Sequence, residues 1–115
     1  MHEMSYVVRL VNEAITAAEE NNANAVKQIS VLVGEMTDVV PDYLKRYYPD
    51  CVKNTILEGS ELVTELDPVV IECSGCGKKY HPSKENNYGC PDCGSAAGKI
   101  IAGKYVVLKS VEIED

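Results

Sequence analysis

Two Cys-x-x-Cys pairs carry the clearest chemistry in this sequence. They are Cys73/Cys76 and Cys90/Cys93, and they account for four of the five cysteines. Each pair is typical of a tight turn that presents two sulfur atoms to one side, and four thiolates fill the tetrahedral shell of Zn²⁺. Because no coordination position is left for water, the pattern predicts a structural zinc site and no hydrolytic centre. A redox-active dithiol of the thioredoxin type would need one pair between a strand and a helix.

The N-terminal residues Met1, His2 and Glu3 offer a second, open metal site. The α-amine of Met1, the amide nitrogen of His2 and the Nδ1 atom of its imidazole close adjoining chelate rings around one ion. Coplanar nitrogens suit Ni²⁺ or Cu²⁺ better than tetrahedral Zn²⁺, and Glu3 can supply a fourth donor. We expect Met1 to be retained, because His2 is bulky. The residues alone also permit a chance Met-His start at a frayed terminus.

Several other side chains are potential ligands that the sequence gives no role. His81, the only other histidine, lies in the cysteine-rich segment, where a solvated loop histidine is the simpler interpretation. Cys51 lies in an apolar helical neighbourhood, where a small buried hydrophobic side chain is expected. Glu35, Asp38 and Asp42 are acidic residues expected to be solvated or to cap a helix.

Charge and composition exclude several classes of function. Eleven basic and 18 acidic residues give a formal net charge of -7, so we expect no nucleic-acid partner. No apolar run approaches the ~18 residues of a membrane helix, and the start lacks the pattern of a secretory signal. Cysteines in metal-type pairs favour a reducing compartment, which predicts a cytoplasmic protein. No Walker A, Ser-His-Asp or paired-carboxylate motif stands out, so we expect no enzyme.

Hydrophobic periodicity predicts two helices and three strands, with the cysteine-rich segment inserted before the last strand. The predicted helices cover 3–21 and 41–52, and the predicted strands cover 27–36, 60–72 and 104–113. In the last strand, one face is predicted to carry Tyr105, Val107, Val111 and Ile113.

Prolines, a glycine and an aspartate indicate where these elements begin, break or bend. Asp38 is expected to cap the second helix, with Pro41 in its first turn. Pro49 either kinks this helix or ends it before a turn, and the sequence leaves both outcomes open. Pro68 suggests an edge or a break in the second strand, and Gly34 marks a bulge or a close backbone approach in the first.

The resulting prediction is an α+β fold, in which two helices cover a three-stranded mixed sheet and a small zinc-ribbon lobe is inserted before the last strand. The predicted domains are an α+β domain with the N-terminal metal site, 1–72 with 100–115, which the resemblance described below makes the nickel-binding domain, and a zinc-binding domain, 73–99. The inserted segment has too few apolar residues to fold without its metal.

The combination of motifs resembles the hydrogenase nickel-incorporation protein family, HypA and its paralogue HybF. The resemblance covers essentially the whole chain. It rests on Met1-His2-Glu3 at the head of an amphipathic helix, on Val33-Gly34-Glu35, on Pro41-Asp42 and on the two cysteine pairs before the last strand. The N-terminal triplet joined to a four-cysteine insertion is specific, whereas neither half is specific alone.

The resemblance implies a nickel metallochaperone for [NiFe]-hydrogenase maturation. It implies that Met1, His2 and Glu3 bind transported Ni(II), and that Cys73, Cys76, Cys90 and Cys93 bind structural Zn(II). The implied partners are the GTPase HypB and the hydrogenase large-subunit precursor, with no membrane partner and with homodimer formation also allowed. Urease as a further target stays open, and His81 is the only candidate for an additional nickel ligand from the zinc lobe.

A different interpretation treats the chain as a zinc-ribbon interaction module that binds nucleic acid or protein. Lys78, Lys79 and Tyr80 give such a ribbon some basic and aromatic surface. This interpretation predicts a basic or aromatic ribbon face, which the acidity of the whole chain opposes.

Overall fold

The N-terminal helix α1 runs from His2 to Glu20. The computed structural model describes residues 2–114, with the side chain of His2 left out. Apolar residues at helical spacing bury one face of α1; they are Val7, Leu10, Val11, Ala14 and Ala18. Asn22, in the left-handed region with φ 55°, ends the helix and turns the chain towards the first strand. The predicted first helix is confirmed.

The second helix, α2, covers Pro41–Cys51 and buries Leu44 and Tyr48. Its N-cap is Val40, with no side-chain cap hydrogen bond, so the prediction that Asp38 caps it is wrong. Asp38 instead ends a short 3-10 helix in the left-handed region, with φ 58°. The helix continues through Pro49, so the proline does not end it.

The main sheet has the strand order β2-β1-β6, where β1 is Ala25–Gly34, β2 is Glu61–Asp67 and β6 is Val106–Glu114. Strand β6 pairs antiparallel with β1. The amide of Val26 at the start of β1 donates to the carbonyl of Ile56, just before β2, at 3.1 Å. Because the two strands begin at the same end of the sheet, they run parallel and the sheet is mixed.

Strand β1 presents one face to the helices, as its alternation predicts. Ile29, Val31 and Val33 are buried at 1%, 0% and 3% exposure, in a core that also includes residues of both helices. Gly34 lies against backbone, since an added Cβ atom would stand 2.6 Å from the carbonyl oxygen of Gly103. The predicted close approach at Gly34 is therefore confirmed.

The predicted facing of the last strand is wrong in its first half. Val106 is 1% exposed, whereas Tyr105 and Val107 are 63% and 45% exposed. The cause is a bulge: Val31 pairs with Leu108 and Ser30 pairs with Ser110, so Lys109 is an extra residue. One extra residue reverses the alternation. Val106, Leu108 and Val111 consequently share the side that packs against the core, so the prediction fails for Tyr105 and Val107 but holds for Val111.

The predicted strand over 60–72 is two strands. It breaks at Pro68, after which β3 (Val70–Cys73) joins a second sheet of order β4-β3-β5. There β4 is Lys79–Tyr80 and β5 is Gly98–Ala102. Because proline cannot donate a ladder hydrogen bond, the chain changes sheets where the ladder is interrupted.

The chain divides into two compact units. Within the described residues, the first unit comprises 2–33, 39–65 and 106–114, and the second comprises 34–38 and 66–105. The first contains the helices and the aliphatic core; the second contains the β4-β3-β5 sheet and the cysteines. The functional division into 1–72 with 100–115 and 73–99 stays a prediction. None of the described helices combines the length and the apolar character that a bilayer span requires.

Candidate metal centre

The two Cys-x-x-Cys segments have the same backbone fold. The amide of Cys73 donates to the carbonyl of Lys78 at 2.8 Å, and the amide of Cys90 donates to the carbonyl of Ser95 at 2.9 Å. Each first cysteine also accepts at its carbonyl from the residue four positions later, which is a glycine with φ near +75°: Gly77 (φ 77°) and Gly94 (φ 74°). Glycine enters this region without the steric penalty of a Cβ atom, so these positions close both turns.

The turns bring the four predicted cysteines together, with all sulfur atoms within 4.8 Å of one another. Across the two turns, the sulfur of Cys73 lies 3.4 Å from that of Cys93, and the sulfur of Cys76 lies 3.6 Å from that of Cys90. A tetrahedral ZnS₄ centre with Zn–S bonds of about 2.3 Å has S–S edges of ~3.8 Å. The donor set and its spacing therefore fit one tetrahedral ion.

The protonation pattern of the cluster also fits a cation. Amide hydrogen bonds from Cys76 and Gly75 lower the pKa of Cys73 to about 6. The Ser95 amide lowers the pKa of Cys93, but hydrogen bonding to the Cys73 sulfur, together with burial, outweighs this effect. The pKa of Cys93 is therefore raised to about 12. One thiolate thus suppresses ionisation of its neighbour. A divalent cation at the centre would release the remaining protons, because thiolates and not thiols are metal ligands.

Each turn contributes one buried and one exposed sulfur ligand. Cys73 and Cys90 are 3% and 2% exposed and pack with Tyr80 in a small cluster of their own, whereas Cys76 and Cys93 are exposed. Such a cluster is too small to hold the segment by hydrophobic burial alone. The cysteines can therefore fix the fold around the metal while two sulfur atoms stay near solvent.

The predicted nickel ligands are not tested by the structure. Met1 and the side chain of His2 lie outside the described residues. Glu3 lies in the first turn of α1, and hydrogen bonding to its own backbone amide lowers the pKa of its carboxyl group. A carboxylate in the first turn of a helix is favoured by the helix dipole. Glu3 is therefore ionised at neutral pH, as a metal donor must be.

Sequence reasoning missed a polar contact in the second unit. Glu35 Oε1 accepts from the amide of Val69 at 2.9 Å, and His81 Nδ1 lies 2.8 Å from the Val69 carbonyl oxygen. The same Nδ1 is 3.7 Å from Glu35 Oε1. Because a carbonyl only accepts, Nδ1 carries the proton. Glu35 is therefore no free carboxylate, and no local motif in the sequence marks this contact.

His81 and Cys51 do not join the sulfur cluster. Among the described residues, the only group of at least three potential ligands is the set of four cysteines. Cys51 instead lies 3.5 Å from the sulfur of Met4, and burial raises the pKa of its thiol. Cys51 is half-buried and packs against the aliphatic core, so the expectation of a buried hydrophobic side chain is met in part.

Fold and site together define a class: a small α+β protein whose second unit is a four-cysteine metal ribbon. The sequence model of the family described as "Hydrogenase/urease nickel incorporation, metallochaperone, hypA" matches residues 1–113. The chain belongs to this HypA family, which confirms the resemblance drawn from its motifs.

Individual relatives agree with this assignment. A protein of Aquifex aeolicus described as "Hydrogenase maturation factor HypA" is 37% identical over 114 residues, covering 99% of this chain and 98% of its own. A protein of Methanocella arvoryzae with the same description is 36% identical over 114 residues, covering 99% of each chain. The solution structure of the Ni metallochaperone HypA from Helicobacter pylori shares the fold, with a TM-score of 0.74, 21% identity and 96% coverage of both chains.

Proposed function

We propose that this protein is a nickel metallochaperone that binds Ni(II) at its N-terminus and delivers it during [NiFe]-hydrogenase maturation. The amine of Met1, the amide and imidazole nitrogens of His2, and a donor from Glu3 form the transport site. The observation that carries the proposal is the family match over residues 1–113, which includes the N-terminal triplet as well as the cysteines. Relatives that are more than 30% identical are described as hydrogenase maturation factors.

The chemistry of the donors assigns different metals to the two sites. Four thiolates in tetrahedral spacing suit Zn²⁺, so Cys73, Cys76, Cys90 and Cys93 would hold it and leave no coordination position open. Its contribution when bound is structural. The terminal nitrogens form a planar set that suits Ni²⁺. A resident ion and a transported ion therefore use separate ligands.

The position of the terminal site favours release as well as capture. It lies at the start of α1, where the aligned peptide dipoles place about half a positive charge that opposes a bound cation. The carboxylate of Glu3 partly offsets this charge. Transfer proceeds by ligand exchange to an acceptor site, with no covalent step on a substrate. The protein is then no enzyme, and energy from GTP comes from a partner.

The partners in this proposal are the GTPase HypB and the precursor of the hydrogenase large subunit, in the cytoplasm. Delivery to urease and formation of a homodimer are compatible with the same site. A formal charge of -7 makes nucleic acid a poor partner.

Nickel titration of three zinc-loaded proteins tests the proposal. The native chain should bind about one Ni²⁺ with square-planar absorption bands. A version with Gly-Ser before Met1, and the His2→Ala variant, should lose these bands while zinc content and the melting curve stay unchanged. His81→Ala is the matched control, because it removes the other histidine and should retain the native spectrum. Equal nickel binding by the native and extended proteins would reject the terminal site.

A further inference from the structure

Strand β6 is an edge strand whose outer backbone groups can be identified from the ladder. In an antiparallel strand, the amide and carbonyl of one residue point to the same side, and successive residues alternate. The amide of Gly34 donates to the carbonyl of Tyr105 at 3.0 Å, so Tyr105 points inward and Val106 points outward. The bulge at Lys109 shifts this alternation by one residue. The outward backbone groups therefore belong to Val106, Leu108, Val111 and Ile113.

Among the described residues, a partner is found for the first of these outward positions. The guanidinium group of Arg9 on α1 donates to the carbonyl of Val106. Within residues 2–114, no backbone hydrogen bond outside the β1–β6 ladder reaches Leu108, Val111 or Ile113. A row of free amides and carbonyls on an edge strand is a template for another strand.

A groove lies beside this free edge. It has a volume of about 390 Å³, and its lining includes Ala17 and Asn21 of α1 with Leu108, Val111 and Ile113 of β6. Ala17 contributes only a methyl group, so α1 leaves space in the groove. The groove can therefore receive small apolar side chains from a strand that pairs with β6.

The negative charges around the groove favour a positively charged partner segment. Glu13 and Glu20 on α1 line an adjoining depression that shares Ala17 with the groove, and Glu112 lies on β6 itself. None of these three carboxylates forms a salt bridge within the described part of the chain. Lys109, the one cation of β6, is 3.0 Å from Glu65 and is thus already paired.

We propose that the outer edge of β6 binds an extended, basic segment of a partner protein as a fourth strand of the main sheet. Backbone pairing supplies the affinity, the groove takes small apolar side chains, and lysine or arginine side chains meet the surrounding carboxylates. A second copy of this chain fits poorly, because its own edge brings the same negative charges. The inference does not depend on nickel.

A fluorescein-labelled synthetic peptide, acetyl-Lys-Val-Lys-Val-Lys-Val-Lys-amide, serves as the probe, with Glu in place of each Lys in the control peptide. Fluorescence anisotropy with the zinc-loaded protein should show binding of the basic peptide only, weakening as salt is raised. Ile113→Pro removes an outward amide at the end of an edge strand, where proline is tolerated. It should weaken binding about tenfold, the equivalent of ~1.4 kcal/mol. Ile113→Ala, which keeps the amide, should bind within about threefold of wild type.

Ala17→Lys provides a second variant at a half-buried position of α1 that lines the groove. A lysine there can extend towards solvent, so the fold is expected to survive, and it should also abolish binding by filling the groove. Chemical-shift changes in the wild type should be confined to β6 and the α1 residues of the groove. Equal binding by wild type, Ile113→Pro and Ala17→Lys would overturn the proposal, as would equal binding of the acidic peptide. A dimer of the protein alone that Ile113→Pro dissociates would assign the edge to a second copy and also overturn it.

Discussion

Tyr48 carries a hydroxyl group into the aliphatic core of the first unit, where the residue is 3% exposed. Its oxygen lies 2.6 Å from Ser60 Oγ, and Ser60 in turn donates to the carbonyl of Leu57. Since Ser60 has one proton to donate, Tyr48 is the donor in their shared bond. The two hydroxyl groups therefore form a hydrogen-bond relay, in which Tyr48 needs Ser60 as its acceptor but Ser60 can donate without Tyr48.

This hydrogen-bond relay predicts that two substitutions lower the free energy of unfolding by different amounts. Tyr48→Phe removes a donor but leaves Ser60 satisfied through Leu57, so the free energy of unfolding should fall by about 1 kcal/mol. Ser60→Ala leaves a buried phenol without an acceptor and should cost more, about 1–3 kcal/mol. Urea unfolding of both single variants and the double variant gives the coupling energy. Strictly additive effects would show that the two hydroxyl groups do not interact.

The same residue gives a pH prediction. Burial raises the pKa of Tyr48 above its ordinary value, and the Ser60 hydrogen bond lowers it by less. The neutral phenol is thus favoured in the folded state. This contribution is complete below the unfolded pKa of about 10 and disappears as the pH rises through the folded pKa. Above about pH 10, wild type should lose stability more steeply than Tyr48→Phe in urea unfolding; parallel curves would contradict this.

At the scale of the elements, the bulge in β6 determines which residues face the core. Deleting Lys109 removes the irregularity between Ser30 and Val31 and leaves Val106, Leu108 and Val111 on their present faces. The deletion should therefore cost only about 1 kcal/mol, including the exposed Lys109–Glu65 ion pair.

Deleting Val107 is the matched control for the Lys109 deletion. It moves Val106 to the open face and turns the exposed Tyr105 towards the core, so stability should fall by more than ~3 kcal/mol. Thermal unfolding of the two deletion variants measures the difference. Similar melting temperatures for both would contradict the assigned position of the bulge.

Most elements were predictable because their patterns are local. The helical spacing of Val7, Val11 and Ala18 gave α1, and Ile29, Val31 and Val33 gave the buried face of β1. The misassigned face of β6 depends on the pairing of Ser30 with Ser110 across the sheet, which a single strand's sequence does not contain.

The candidate site shows the same division. The spacing of the four cysteines predicted their convergence, because two turns and one tetrahedral ion suffice to define it. The contacts of Glu35 and His81 with the Val69 backbone join residues far apart in sequence, and no local motif marks them. The prediction that Asp38 caps α2 failed because a 3-10 turn intervenes before Val40.

The whole second unit should need its metal in order to fold. Cys73, Cys90 and Tyr80 form its only cluster of buried residues within the described chain, which is too little to fix three short strands. In Cys90→Ser, amide NMR signals of residues 70–102 should lose dispersion while those of α1 and β1 stay in place. Cys51→Ser, which changes the one thiol outside the site, should leave the spectrum and the zinc content unchanged. Retained dispersion in Cys90→Ser would contradict a metal-dependent fold.

At the scale of the whole molecule, the proposed function divides two metals between two units of one short chain. The cysteine unit would retain zinc through thiolates that are held by backbone hydrogen bonds. The first unit would present nickel on nitrogen donors at the start of α1, opposed by the helix dipole and therefore exchangeable. Each site would reject the other's metal through geometry, because a tetrahedral sulfur set and a planar nitrogen set satisfy different ions.

X-ray absorption at both metal edges of one sample tests this division most directly. Native protein is loaded with one equivalent each of zinc and nickel. We predict a zinc shell of four sulfur atoms at about 2.3 Å and a planar nickel shell of nitrogen and oxygen with no sulfur. The planar nickel signal should vanish in His2→Ala. Sulfur in the nickel shell, or an unchanged nickel spectrum in His2→Ala, would contradict separate zinc and nickel sites.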